Sequence, residues 1–367
     1  MNTLKKIALI FSAVVLAWSC TDVEPIEIEH IGGHNTEGDS EYYMNLRAYK
    51  AQANNYGRPV AFGWFSNWSP TGVMRKGYLS SIPDSMDIVS MWSGAPGRYE
   101  MTEDMKRDKE FVQKVKGVKL LEVSLLSHLG KGRTPESIYE PLIKQAQEEG
   151  WSDARLNLEK KYARWDFWGF TSHDTSNKEN LREALANFAK ALCDSLVVSE
   201  WDGFDIDWEP GSGFNDDDGT INISEMEFLV SEMGKYIGPN SDKEGKGHKL
   251  LCIDGHINQF SAETCKYIDY WITQSYGSGY PHQYPKSGNM KKLIIAENFE
   301  SMAGWGGHLL EQAAWMPDNG YKGGVGAYRF ENDYDNKPDY KWMRQAIQIN
   351  QQVFKEWQEK QNSAPAQ

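Results

Sequence analysis

The chain has 367 residues, ordinary for one barrel-sized domain of about 250 residues plus insertions, and no second-domain boundary is evident along it. Aromatic residues make up 13% of it, enough to build a large core and still leave rings to line a cleft. A net charge of −13, more negative still if residues 1–19 with Lys5 and Lys6 are removed, argues against nucleic acid and against electrostatic adhesion to an anionic membrane.

In chain order, the N-terminus comes first. Lys5 and Lys6 precede an apolar run from Ile7 to Trp18, too short to span a bilayer comfortably and suited to a secretory signal. It ends Leu16-Ala17-Trp18-Ser19-Cys20, where a small residue directly before a cysteine resembles a lipobox. Residues 1–19 therefore read as a signal peptide and Cys20 as the lipidation site, the alternative being a plain signal with an incidental cysteine. The expectation that follows is an outer-membrane lipoprotein exposed at the cell surface, in contact with the membrane through its lipid only. Asp22, Glu24, Glu27 and Glu29 resemble the export signals of some Gram-negative surface lipoproteins, and an acidic solvated tether explains them as well. Residues 20–45 read as the tether, 46–360 as one folded domain expected to be monomeric, and 361–367 as a tail.

Within that domain, apolar runs alternate with amphipathic stretches. Strands are predicted at Val60–Trp68, Met86–Trp92, Val118–Ser127, Gly203–Glu209, Lys249–Gly255, Tyr267–Tyr276, Leu293–Phe299 and Gly324–Phe330. Helices are predicted at Asp104–Lys116, Asn180–Val198, Ser224–Ile237 and Tyr340–Trp357. In the second, Leu181, Leu185, Phe188, Leu192 and Leu196 recur at helical spacing. Ser224 and Glu227 match a capping box. Eight strands separated by helices or long loops predict an α/β protein, a single (β/α)₈ TIM barrel. An open doubly wound sheet is the alternative, and the missing Gly-rich turn after the first strand speaks against it.

After Cys20 only Cys193, Cys252 and Cys265 remain, an odd set that excludes a full disulfide framework and leaves a Cys252–Cys265 bridge open. No C-x-x-C or H-E-x-x-H occurs, so no zinc site is signalled. Asp216-Asp217-Asp218, between Gly213 and Gly219, lacks the spacing of a calcium hand and reads as a solvated acidic turn.

The chemistry is concentrated in Asp202-Gly-Phe-Asp-Ile-Asp-Trp-Glu-Pro210. Alternation puts Asp205, Asp207 and Glu209 on one strand face and Phe204, Ile206 and Trp208 on the other. Three charges facing packed helices would be costly, so the acids are expected inside the barrel. At about 6.6 Å spacing they cannot all ionise cheaply, and at least one proton should be held. Glu209, at the C-terminal strand end where a barrel binds substrate, is the expected general acid. By spacing alone, a divalent-metal site or a structural hydrogen-bond network remains open.

Asp202-Gly203-x-Asp205-x-Asp207-x-Glu209 resembles the D-G-x-D-x-D-x-E signature of glycoside hydrolase family 18, the chitinases and endo-β-N-acetylglucosaminidases, which lies on their fourth barrel strand. The resemblance implies a retaining, substrate-assisted hydrolysis that needs no cofactor, metal or protein nucleophile. Glu209 would protonate the glycosidic oxygen, the substrate's 2-acetamido oxygen would attack the anomeric carbon, Asp207 would orient the acetamido N–H, and Asp205 would tune Asp207. On the sixth strand, Gln274 and Tyr276 share a face, with Tyr276 placed to donate to the acetamido oxygen. This Gln-x-Tyr pair resembles endo-β-N-acetylglucosaminidases more than chitinases, which tend to carry Tyr-Asp. The third strand, Ser124 to Gly130, lacks the usual S-x-G-G, and the eighth, Gly326-Ala-Tyr328-Arg329-Phe330, lacks the Trp that often floors a chitinase pocket. Tyr328 is assigned that floor. Trp64, Trp68, Trp92, Glu297, Asn298 and His256 are further rim or subsite candidates. The expected partner is an N-glycan or another GlcNAc-containing oligosaccharide cut in its GlcNAc-β1,4-GlcNAc core. Chitin oligosaccharides and a non-catalytic glycan-binding barrel are the alternatives.

Overall fold

In the computed structural model, residues 40–92, 95–97, 100–212, 217–241 and 248–363 are described; the signal, Cys20, most of the tether and Asp216 lie outside them. Eight parallel strands close in sequence order: β1 Val60–Phe65, β2 Ile88–Met91, β3 Lys119–Leu125, β4 Gly203–Trp208, β5 Leu250–Gly255, β6 Tyr270–Gln274, β7 Leu293–Asn298 and β8 Gly324–Tyr328. β8 pairs with β1, Trp64 beside Tyr328, which completes the closure. The open-sheet alternative is thereby set aside. All eight strands fall within their expected spans, and each is shorter than its span by one residue or more. Glu209 and Tyr276 stand just past their strands, in the loops of the barrel mouth.

Alternation along each strand separates two cores. Val60, Phe62, Trp64, Ile88, Leu121, Val123, Cys252, Tyr270, Ile272, Ile294 and Ala296 fill the barrel. Phe204, Ile206 and Trp208 pack outward with Leu120, Leu251, Ile253 and the helices. Room inside is finite, and β8 yields it: a side chain at Gly326 would meet the Phe62 carbonyl oxygen at 2.6 Å. Phe62 can turn inward because β8 carries glycine beside it.

The helices are α1 Glu41–Ala51, α2 Glu103–Glu110, α3 Glu140–Glu149, α4 Asp153–Trp168, α5 Lys178–Val198, α6 Ile223–Met233, α7 Phe299–Met302, α8 Leu309–Ala314 and α9 Lys341–Ser363. α1 begins inside the span read as tether, and α9 runs to Ser363. α5 buries the predicted stripe of Leu181, Leu185, Phe188, Leu192 and Leu196. Among the described residues no α-helix separates β1 from β2, β5 from β6 or β6 from β7; short 3₁₀ turns lie in those connections. The cap of α6 is Asn222, whose side chain accepts from the Ser224 and Glu225 N–H groups. The predicted Ser224–Glu227 box does not form, because Glu227 turns away to accept from Ser261 N–H and the Thr264 hydroxyl.

Cys193, Cys252 and Cys265 are free and buried. The Cys252–Cys265 bridge is ruled out by topology: Cys252 points into the barrel and Cys265 belongs to the outer core. Asp218 is not solvated. It accepts from Arg164 Nη2 at 2.6 Å and Trp165 Nε1 at 2.8 Å, tying the loop after β4 to α4.

Candidate active site

The alternation that sends Phe204, Ile206 and Trp208 outward places Asp205 and Asp207 inside the barrel, both nearly inaccessible to solvent. Glu209, past the end of β4, is half-buried at the mouth. Asp202, the first acid of the motif, stands at the opposite end, where it accepts from Leu120 N–H at 3.0 Å and Gln113 Nε2 at 2.7 Å. It fastens β3 to β4 and takes no part in the site.

The barrel supplies Asp205 with two donors to the same oxygen, Trp64 Nε1 at 3.0 Å and Ser90 Oγ at 2.7 Å. Burial nevertheless dominates these contacts and raises its pKa to about 6. Asp207 is pushed well above the usual carboxylate range, by burial first and then by the charges of Glu209 and Asp205. The proton that like-charge crowding requires is therefore held among the buried acids.

A further carboxylate joins them. Asp254 stands beside Asp207 in the β4–β5 register and is 1% exposed. Burial, followed by the charges of Asp207 and Asp205, raises it strongly. Gln274 Nε2 donates to its Oδ1 at 2.7 Å. Sequence reasoning missed Asp254 and Ser90. The signal for Asp254 was present: in Leu250-Leu-Cys-Ile-Asp254, alternation places an acid on the same face as Cys252.

Tyr276 is partly exposed beyond β6. Burial, then the charges of Asp254, Asp207 and Glu209, holds its phenol well above the ordinary range, so the hydroxyl remains a donor. Its ring stacks near Tyr328, 6.2 Å between centroids and 30° between planes. Tyr328 in turn meets Trp92 edge-to-face at 5.3 Å and Trp64 at 6.3 Å. Glu209, Asp207, Gln274, Tyr276, Tyr328 and Trp92 thus come together at one mouth.

Other candidates are placed differently. Trp64 is 1% exposed, with its N–H occupied by Asp205, so it is the floor under the carboxylates and not an open sugar platform. Trp68 lies in the outer core, donates to Asp108 at 2.9 Å and meets Trp201 edge-to-face. Glu297 is fully buried and accepts from the Gly277, Asn298 and His308 N–H groups at 2.7–2.8 Å. It is a clasp between the loops after β6 and β7, not a sugar contact: its charge is already spent on backbone donors. A side chain at Gly307 would lie 2.8 Å from its Oε2, so glycine is needed for that close approach. Asn298 stays at the mouth beside Tyr328, its Oδ1 capping α7 through Glu300 N–H at 2.8 Å. His256 is half-buried and meets Gln259, which accepts from Trp208 Nε1. Among the described residues no group of three or more His, Cys, Asp or Glu is arranged to hold a metal ion.

This arrangement can donate a proton at the cleft edge, hold a carboxylate beside it at the bottom of the cleft, and offer a phenol donor opposite. A solved structure of BT1044, a selenomethionine form with a Glu-to-Gln substitution, is 28% identical, with 87% of this chain and 96% of that one covered and a TM-score of 0.65. Two structures of an endo-β-N-acetylglucosaminidase from Cordyceps militaris share the fold at TM-scores of 0.53 and 0.52, with 18% and 16% identity over 85% of this chain and 96% of each of theirs. No curated protein sequence matches. The model of glycoside hydrolase family 18, BT1044-like, matches residues 21–349. The match spans the barrel from before β1 into α9, with the carboxylate strand at its centre, and the chain belongs to glycoside hydrolase family 18.

Proposed function

We propose that the chain is an endo-β-N-acetylglucosaminidase that cuts the GlcNAc-β1,4-GlcNAc core of N-linked glycans with retention of configuration. The observation that carries the reading is the shared mouth: Glu209 at the edge, Asp207 beneath it, and Gln274 with Tyr276 one strand beyond Asp254. Glu209 donates its proton to the glycosidic oxygen as that bond to the anomeric carbon breaks. The substrate's 2-acetamido oxygen forms a bond to the same carbon, giving an oxazolinium ion. A tethered neighbouring group has a high effective concentration, so no protein nucleophile is required. Asp207 accepts from the acetamido N–H and offsets its growing positive charge; Tyr276 donates to the acetamido oxygen and sets its angle of attack. Glu209, now a carboxylate, takes a proton from water, which opens the oxazolinium ring from the face the leaving group left. The Tyr328–Trp92 pair offers ring surface beside these groups for the apolar face of a sugar.

The test is mass spectrometry of an N-glycoprotein incubated with residues 21–367, beside Glu209→Gln. A single GlcNAc left on asparagine, and absent with the variant, supports both the cleavage and the acid. No release from high-mannose, hybrid or complex glycans overturns the reading, and turnover of chitin oligosaccharides would replace it. Binding of an intact glycan without turnover would point to the non-catalytic barrel. Lys5 to Cys20 further support the proposal of an exported lipoprotein anchored at Cys20, and the acids Asp22, Glu24, Glu27 and Glu29 the proposal that it faces outward. Radiolabelled palmitate should enter the full chain and not Cys20→Ala, and equal labelling of both would overturn the anchor.

A further inference from the structure

Three neighbouring carboxylates each bury one oxygen that receives no hydrogen bond in the structure: Asp205 Oδ1, Asp207 Oδ1 and Asp254 Oδ2. Asp205 Oδ2 is held by Trp64 and Ser90, and Asp254 Oδ1 by Gln274. Asp254 lies within hydrogen-bonding reach of both Asp205 and Asp207. Carboxylate oxygens only accept, so ionised neighbours cannot satisfy one another. A buried orphan acceptor is costly, and a proton on one carboxyl converts a repulsive pair into a short, charge-assisted hydrogen bond.

We propose that Asp254 is a positioning residue, which carries a proton on Oδ2, donates it to the unpartnered oxygen of Asp207, and with Oδ1 holds Gln274 in place. The inference rests on the endo-glycosidase reading for its consequence in turnover, but not for the proton itself. Asp254 is the junction between the two strands that supply the site. Asp207 on β4 is held at one oxygen and presents the other to the substrate. Gln274 on β6 spends one amide hydrogen on Asp254 and keeps the second, with its carbonyl, for the mouth. The groups facing Asp254 are Asp205, Asp207 and Glu209 from β4 and the loop beyond it, Gln274 and Tyr276 from β6 and its loop, and Cys252 on β5 itself. No cation appears among them. A proton is therefore the only positive charge these named neighbours provide for.

Infrared spectroscopy of the full-length protein at pH 8 tests this directly, through the carbonyl stretch of a protonated carboxyl. The band is expected in the wild type and in Glu209→Gln, and is lost in Asp254→Asn. Its absence from the wild type, or its persistence unchanged in Asp254→Asn, overturns the proposal whether or not any glycan is cleaved. In turnover, Asp254→Asn preserves a donor toward Asp207 and an acceptor for Gln274, so it keeps most of the wild-type kcat. Asp254→Leu removes both and lowers kcat about 10²-fold with a smaller change in KM, the cost of a slightly misplaced reacting group. Equal loss in both variants overturns the positioning role, as does no loss in Asp254→Leu. If the wild type releases no glycan, the turnover arm tests the functional reading only and the spectrum still decides on Asp254.

Discussion

The two ends of the barrel handle buried charge in opposite ways. At the N-terminal end, each acid meets a cation, a ring N–H or a backbone N–H. Asp87 pairs with Arg58 at 2.6 Å and accepts from Ala61 N–H at 2.8 Å. Asp202 lies 3.4 Å from Lys119 and accepts from Leu120 N–H; Asp269 lies 2.7 Å from His248 and accepts from Leu251 N–H at 2.9 Å. The pattern repeats: an aspartate directly before β2, β4 and β6 accepts from the second residue of β1, β3 and β5. At the C-terminal end, Asp205, Asp207, Asp254 and Glu209 crowd one another, and after burial it is their like charges that raise Asp207 and Asp254. One end is built for stability and the other holds unfavourable electrostatics that a reaction can use.

The contrast can be broken or sharpened by substitution, and the largest effect belongs to the mouth. Glu209→Gln should lower kcat/KM by about 10³-fold or more, roughly 4 kcal/mol of barrier, without changing the thermal transition. Steady-state release of GlcNAc-capped protein and a melting curve check both halves.

Next is Arg58→Met at the opposite end. It strands Asp87, whose partner is only 3% exposed, and should cost about 3–5 kcal/mol of stability. Turnover per folded molecule should stay at the wild-type level, as denaturant unfolding beside active-site titration would show. Reduced kcat in the folded fraction would mean that the two ends are not independent.

Asp205→Asn should do the reverse, stabilising the fold at pH 7 while impairing catalysis. The folded Asp205 binds its proton more tightly than the usual aspartate, with a pKa of about 6, so its contribution to stability is fully present below about pH 4 and is lost as pH rises through 6. The amide cannot ionise and escapes that loss, worth about 1–3 kcal/mol at pH 7 and vanishing below about pH 4. Urea unfolding at pH 7 and pH 4 measures the difference; equal gains at both would contradict burial of a charge as the cause.

The smallest effects separate two tryptophans. Trp68→Phe deletes one of three donors to Asp108 and should cost about 1 kcal/mol with no change in turnover. Trp92→Ala should leave the melting point nearly unchanged and raise KM several-fold, since its partly exposed ring faces Tyr328 at the mouth. A matching pattern in both variants would remove the distinction between outer packing and the mouth.

The barrel and the orientation of the acids were legible because both rest on local periodicity. A strand that alternates acid and apolar side chains has one inexpensive arrangement in a closed sheet, and Asp205-x-Asp207-x-Glu209 dictates it in five residues. The fate of single side chains at the strand ends was not legible. Trp64, Trp68 and Trp92 look alike in sequence, yet one floors the site, one packs outside and one stands at the mouth. Glu297 has a substrate-like position along β7, but beside its neighbour Asn298 the backbone N–H groups that claim it come from Gly277, in the loop after β6, and from His308, well beyond the end of β7. Asp254 lies 47 residues beyond Asp207 in the chain and beside it in space. Periodicity is a property of neighbours along the chain and determines which face a residue takes. Hydrogen-bond satisfaction is a property of neighbours in space, and only the closed barrel brings those donors and acceptors together.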